Sequence, residues 1–203
     1  AKEKSVKRII ATLFSLTSAG AFGATFTVTN TADSGAGSLR QAIIDANANP
    51  GLDTIAFIII GSGVHTISPT SALPTITDPV IIDGYTQPGS AANTLIVGND
   101  ATLLIEINGT GLSGDLFLIN GGGGSTVRGL VVNGVPGQSF NIQGSNPNTI
   151  AGNFLGTNPA GTILLSGLNA IRINGASNTV GGAAPAARNV IAGGTSAFGL
   201  AHL

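Results

Sequence analysis

The stretch IEINGTGLSGDLFLINGGGGSTVRGLVVNG, residues 105–134, holds three short apolar runs, each ending in Asn-Gly, at Gly109, Gly121 and Gly134. Asn followed by Gly tolerates the left-handed backbone of a sharp corner, so each dipeptide marks where a strand stops and the chain turns. The same ending recurs outside this stretch, as IIDG up to Gly84 and IRING up to Gly175. Successive endings lie 25, 12, 13 and 41 residues apart. A coil of about 22 to 30 residues with two or more strands per turn produces such spacings. A second signature, NTI from Asn148 and NTV from Asn178, repeats after 30 residues, with residues 159–162 as an inserted loop. These features predict an all-β parallel β-helix, a solenoid of short strands. Two alternatives stay open: an antiparallel sandwich, whose hairpins also use Asn-Gly, and a propeller, which would want Trp and Asp blade motifs.

Toward the N-terminus, residues 38–49, SLRQAIIDANAN, form the one convincing amphipathic helix. Leu39, Ala42, Ile43 and Ala46 fall on one helical face, and Arg40, Asp45 and Asn47 lie off it. Ser38 and Gln41 fit a capping box, and Asn49, Pro50 and Gly51 stop the helix. A lone helix beside a strand array is expected to cover the array's first, otherwise bare, end. Around it, TFTVTN from Thr25 reads as a strand. DTIAFIII from Asp53 reads as a strand buried on both faces, and residues 65–76 as an irregular excursion before a strand that begins at Pro79.

The run TFTVTNTADSGAGSLRQAIIDANANPGLDTIAF, followed by LPTITDPVIIDGYTQPG, resembles the N-terminal region of secreted bacterial right-handed parallel β-helix repeat proteins, the group labelled by a CSLREA motif. Here Gly37 stands where the motif has Cys, and Gln41 where it has Glu. NTIAGNFLGTNPAGT and GASNTVGGAAPAARNVIAGG are similar to the repeats of the same group. The resemblance spans most of residues 24–194. It implies a right-handed, pectate-lyase-like coil and export, and no single activity.

Composition agrees with export. Lys2, Lys4, Lys7 and Arg8 precede an apolar run from Ile9 to Leu16, and small residues follow at 18–21 and 23, the layout of a signal peptide. Cleavage is expected after Gly23, with Ala21 at −3; cleavage after Ala21 fits the same rule. The apolar run is short for a membrane span. The expected organisation is thus a signal peptide over 1–23 and one β-helix domain over 24–203, with the cap and first strands in 24–79 and the coils in 80–203. Residues 24–203 hold no Lys, four Arg and eight carboxylates, a net charge of −4 that disfavours a nucleic-acid groove. With no Cys there is no disulfide framework and no thiolate chemistry.

Candidate chemistry is sparse. Asp83, Glu106, Arg128 and Arg172 recur at spacings of 23, 22 and 44, near multiples of one coil. Equivalent positions on stacked strands lie about 4.8 Å apart, so Glu106 is expected to meet Arg128, with Asp83 one strand away. In the pectate-lyase-like enzymes that the resemblance brings in, acidic residues hold Ca²⁺ and a basic residue abstracts a proton. Two aligned carboxylates are few for a cation that takes six or more oxygens, and the other reading is an exposed ion pair. His65 and His202 are isolated in sequence, and GGGGS at 121–125 lacks the Lys and helix of a phosphate cradle. Asn108, Gly109 and Thr110 match a glycosylation acceptor. With Tyr85 the sole Tyr and no Trp, stacking platforms for sugars are scarce.

No catalytic, cofactor-binding or metal-binding residue is therefore assigned, and no cofactor is expected. Three function classes remain. The first and favoured one is an exported or cell-surface structural or adhesive module, with a polysaccharide or cell surface as partner and no nucleic acid. The second is a polysaccharide lyase or hydrolase. The third is a carbohydrate or ice binder, whose sign would be a Thr array across successive strands; Thr25, Thr27 and Thr29 sit in one strand only. Phe198 and Leu200 alternate like a last strand, with no second helix to cover it, so either end-to-end self-association through that strand or further coils of a longer repeat protein are expected.

Overall fold

The computed structural model describes residues 22–121, 123–144, 147–165, 169–193 and 198–200. Three sheets account for its strands. Sheet A runs β1 (Thr25–Val28), β2 (Asp53–Phe57), β4 (Val80–Asp83), β7 (Thr126–Arg128), β10 (Thr149–Ala151) and β13 (Thr179–Val180), in that spatial order. Sheet B runs β3 (His65–Ile67), β5 (Ile105–Asn108), β8 (Leu130–Asn133), β11 (Phe154–Leu155) and β14 (Val190–Ile191). Sheet C runs β6 (Phe117–Asn120), β9 (Gln138–Gln143), β12 (Asn169–Asn174) and β15 (Phe198–Leu200). Every ladder is parallel. From β2 onward the chain visits A, B and C in rotation, so neighbours in a sheet come from successive passages. On the first of these passages sheet C holds only a bridge from Ile76 to Ile119. The fold is all-β with parallel sheets and one helix, consistent with a parallel solenoid.

Strand alternation builds one core. On sheet A, Phe26, Ile55, Ile82, Val127, Ile150 and Val180 stack in register, facing inward. Sheet B adds Ile67, Ile107, Val132, Leu155 and Ile191. Sheet C adds Phe117 and Phe140, whose rings stack at 5.1 Å, with Ile171 next in line. Buried corners are held by polar side chains that repeat from passage to passage. Val80 N–H donates to Ser125 Oγ (3.1 Å), Ser125 N–H to Asn148 Oδ1 (3.1 Å), and Asn148 N–H to Asn178 Oδ1 (3.0 Å). At the next corner Leu130 N–H donates to Asn153 Oδ1 and Asn153 N–H to Asn189 Oδ1. Each bond gives a buried backbone N–H the partner that a sharp corner denies it.

The helix α1 (Leu39–Ala48) lies between β1 and β2 and packs on both, with Leu39, Ala42, Ile43 and Ala46 buried. Its polar side chains satisfy the backbone of the next passage. Asn47 Nδ2 donates to Thr75 O (2.7 Å), Thr77 N–H donates to Asn47 Oδ1 (2.9 Å), and Arg40 donates to Ser71 O and Ala72 O. The capping box forms only by half. Ser38 Oγ accepts from Gln41 N–H, but the Gln41 side chain turns forward to Asp45, because Ser38 N–H is already bonded to Gly35 O.

Other expectations need correction. DTIAFIII is a strand only through Phe57 and is not fully buried on its outer face, where Thr54 is half-buried; beyond it Ile58 and Ile60 are 54% and 94% exposed, while Ile59 still reaches the core. Gly121 and Gly134 do take positive φ at their corners, but Gly84 and Gly109 do not. Those two are glycines because of close approach: a Cβ on Gly109 would sit 2.6 Å from Val135 Cγ2, and one on Gly84 would collide with the Gly129 carbonyl. His65 opens β3 rather than sitting in a loop. The signal-peptide segment falls outside the described residues up to position 21, as do Gly122 of the GGGGS run, His202, and residues 194–197 and 201–203 of the final strand region. The backbone of β15 pairs with β12, so the last predicted strand is present.

Candidate functional site

The four spaced charges do not converge. Asp83 and Arg128 close β4 and β7, lie opposite each other in sheet A, and pair through Arg128 Nη2 and Asp83 Oδ2 at 2.6 Å. Glu106 belongs to sheet B, opposite Val131, and accepts from Thr66 Oγ1 (2.7 Å) and Asn133 Nδ2 (2.8 Å). The predicted Glu106 to Arg128 contact therefore does not form, and Asp83 takes its place. Arg172 stands exposed on sheet C, opposite Asn141. The cause is residues 84–104, a long excursion between β4 and β5. It sets the paired Asp83 and Arg128 45 positions apart and moves Glu106 to another sheet.

Asp83 is poorly placed for acid or base work. Its Oδ2 is taken by Arg128 and its Oδ1 by the Tyr85 N–H (3.1 Å). Arg128, half exposed, is held further toward its charged form by the hydrogen bond it donates to Asp83. Asn108 Oδ1 is occupied by both donors of Thr110 in a tight turn. Ser125, the last residue of the glycine run, serves the corner ladder. Among the described residues no three of His, Asp and Glu gather as metal ligands.

Sheet A presents something that residue spacing did not reveal. Outward positions Thr25, Thr54, Ile81, Thr126, Thr149 and Thr179 pair one with the next across all six strands. Five of the six are Thr, set about 4.8 Å apart by the strand spacing. Thr25 and Thr179 are exposed and the members between them half-buried. The row offers hydroxyl and methyl groups alternately fixed by a stiff β-branched side chain.

Sheet B's outer face is roofed instead. The 84–104 excursion lays Leu103, Ala101 and Tyr85 over Val131, Phe154 and Val190 as a second small apolar cluster. The Tyr85 hydroxyl donates to Gly152 O at 2.7 Å, and its ring crosses the tight corner at Gly129, where a Cβ would meet ring atoms at 3.0 Å. Burial, then the neighbouring Asp83 charge, pushes the Tyr85 phenol up to about 12. The excursion's tip, with Ile96 and Val97 each 86% exposed, is fixed from below by the Arg188 guanidinium, which donates to the carbonyls of Leu95, Ile96 and Gly98.

Comparison with protein-family models, curated proteins and solved structures finds no match to this chain. No helix of the described residues is long and apolar enough to cross a membrane.

Proposed function

We propose that the chain is an exported or cell-surface right-handed parallel β-helix that acts as a non-catalytic adhesive module, gripping an extended polysaccharide through sheet A. The observation that carries this reading is the outward row of Thr25 and Thr54 and, past Ile81, of Thr126, Thr149 and Thr179; it is the threonine array across strands expected of a carbohydrate binder, so the adhesive and carbohydrate-binding readings merge in this module. A linear polymer laid across the strands meets a hydroxyl at every strand but that of Ile81, and many weak contacts add through multivalency. Right-handedness follows from the hand that parallel crossovers adopt in nearly all cases. The resemblance to secreted β-helix repeats and the basic, then apolar, N-terminus support export.

Co-sedimentation with insoluble polysaccharides such as cellulose, chitin and cell-wall sacculi tests the reading. The expected result is retention on at least one polymer that Thr126→Lys and Thr149→Lys abolish, because a long side chain lifts the polymer off the row. Binding indifferent to both substitutions, or retention on none of the polymers, would falsify the proposed face. Soluble polymers incubated with the protein, with and without Ca²⁺, should yield no new reducing ends and no unsaturated product. Turnover lost in Arg128→Ala would favour a lyase instead.

A further inference from the structure

We infer that the exported chain is cut between Gly23 and Ala24, and that the new α-ammonium of Ala24 seats on the buried carboxylate of Asp53. The inference rests on the export reading above and adds what the cut is for. In the intact chain Ala24 N–H donates to Asp53 Oδ1 at 2.7 Å, and Asn49 Nδ2 donates to the same oxygen at 2.7 Å. Asp53 is 0% exposed, and its other oxygen, Oδ2, is buried with no hydrogen-bond partner. An ionised carboxylate has about four acceptor sites, and burying one costs heavily unless its charge is met.

The corner ladder makes the position stand out. Down this column of sheet A, the backbone N–H groups of Val80, Ser125 and Asn148 are each received by a side chain of the next strand along, Ser125, Asn148 and Asn178, all neutral, while that of Asp53 goes to the Pro79 carbonyl. Only opposite Ala24 is the receiver an acid. An amide there offers Asp53 one N–H and no charge, whereas an ammonium on the same atom offers three donors and the opposite charge. The first backbone bond of this ladder also falls here, Thr54 N–H donating to Ala24 O at 2.8 Å, and just upstream Phe22 O accepts from Asn49 Nδ2 at 3.3 Å. Upstream, Gly23 is exposed and Phe22 is 84% exposed.

A cut after Gly23 leaves Ala21 and Gly23 as the small residues an export endopeptidase selects at −3 and −1. Water adds across the Gly23–Ala24 amide: its hydroxyl completes the Gly23 carboxyl group, and the amine departs with the proton and takes a second one from solvent. A cut after Ala21 would instead put the ammonium on Phe22, about 7 Å of chain away from Asp53.

The test uses the whole chain expressed in a secreting bacterial host. Lys occurs only at positions 2, 4 and 7, so a chain beginning at Ala24 carries a single amine, and amine-reactive labelling reads it alone. N-terminal sequencing should return Ala24 as the first residue. Labelling should be about tenfold slower in the folded protein than in denaturant, one unit of pKa increase removing about tenfold of the free amine. Asp53→Asn should restore the denatured rate; if that variant does not fold, the wild-type ratio still decides. An exported chain beginning at Phe22, or an Ala24 amine that labels equally fast folded and unfolded, overturns this inference and leaves export standing. A chain retained uncut overturns both.

Discussion

On sheet A the outward row is Thr25, Thr54, Ile81, Thr126, Thr149 and Thr179, exposed or half-buried; on sheet B it is Thr66, Glu106, Val131, Phe154 and Val190, with Val131 and Phe154 at 0% and 3% exposure. Both rows point away from the same core and share one strand geometry. What differs is cover. The 84–104 excursion lies over sheet B and supplies Leu103 and Tyr85 as the other half of an apolar contact. The row on sheet A stays exposed or half-buried, and it is hydroxyl-rich. Outward chemistry in this protein is thus set passage by passage, according to whether a loop returns to roof it. An unroofed Val131 and Phe154 would be an exposed apolar patch of the kind that drives association.

The helix α1 packs on β1 and β2 at the first strands of sheet A, and its loss should have the largest effect. Ile43 is 1% exposed against the core. Ile43→Asp buries a charge without a partner, a cost of several kcal/mol. The expected outcome is aggregation on expression, read by soluble yield; a soluble variant with an unchanged melting curve would show that α1 covers nothing essential.

Phe154→Ala should come next. It removes the largest side chain beneath the roof, and Phe to Ala changes at buried sites cost about 3 to 5 kcal/mol. Chemical denaturation of the variant measures this directly. A loss below about 1 kcal/mol would mean that the excursion rests on sheet B without being stabilised by it.

Tyr85 reports on the same roof without changing it. Its phenol is raised from 10.0 to about 12, so the folded state favours the protonated form. That contribution to stability is fully present below pH 10.0 and is lost as pH rises from there through about 12. Being the sole Tyr in a chain without Trp, it can be followed by tyrosinate absorbance. The folded midpoint should lie near 12 and fall back to the ordinary value in denaturant; coincident curves would place the ring in water and remove the roof.

Much of this architecture is legible in the residues. The helix face at Leu39, Ala42, Ile43 and Ala46, the strands before Gly84, Gly109, Gly121, Gly134 and Gly175, and the pairing of Asn148 with Asn178 all follow from periodicity and turn chemistry. Register was not legible wherever a loop varied in length. Steps along the threonine row are 29, 27, 45, 23 and 30 residues, because hydrogen bonding aligns the strands whatever length of chain connects them. The same irregularity hid Asp83 as the partner of Arg128. A local signal did exist: DTI, STV, NTI and NTV at 53–55, 125–127, 148–150 and 178–180 share one tripeptide. Its three positions are a polar corner residue, an outward Thr and an inward β-branched residue.

The smallest effect is the sharpest test of the comparison, because it places threonine on both outer rows. Val131→Thr keeps the volume but puts a hydroxyl under the roof at a position with 0% exposure. A buried hydroxyl without a partner costs about 1 to 3 kcal/mol in protein mutational data. Ile81→Thr completes the row on sheet A, at a half-buried position flanked by Thr54 and Thr126. There the hydroxyl can reach water or its neighbours, and Thr–Thr cross-strand contacts contribute about 0.2 to 1 kcal/mol in compensation for the lost apolar area. The net change should stay within about 0.5 kcal/mol, as for other substitutions away from buried features. Denaturant midpoints of the two variants give the answer side by side. Equal costs would mean that sheet A's outer face is as dry as sheet B's, so that its threonines would be packing residues rather than a displayed row.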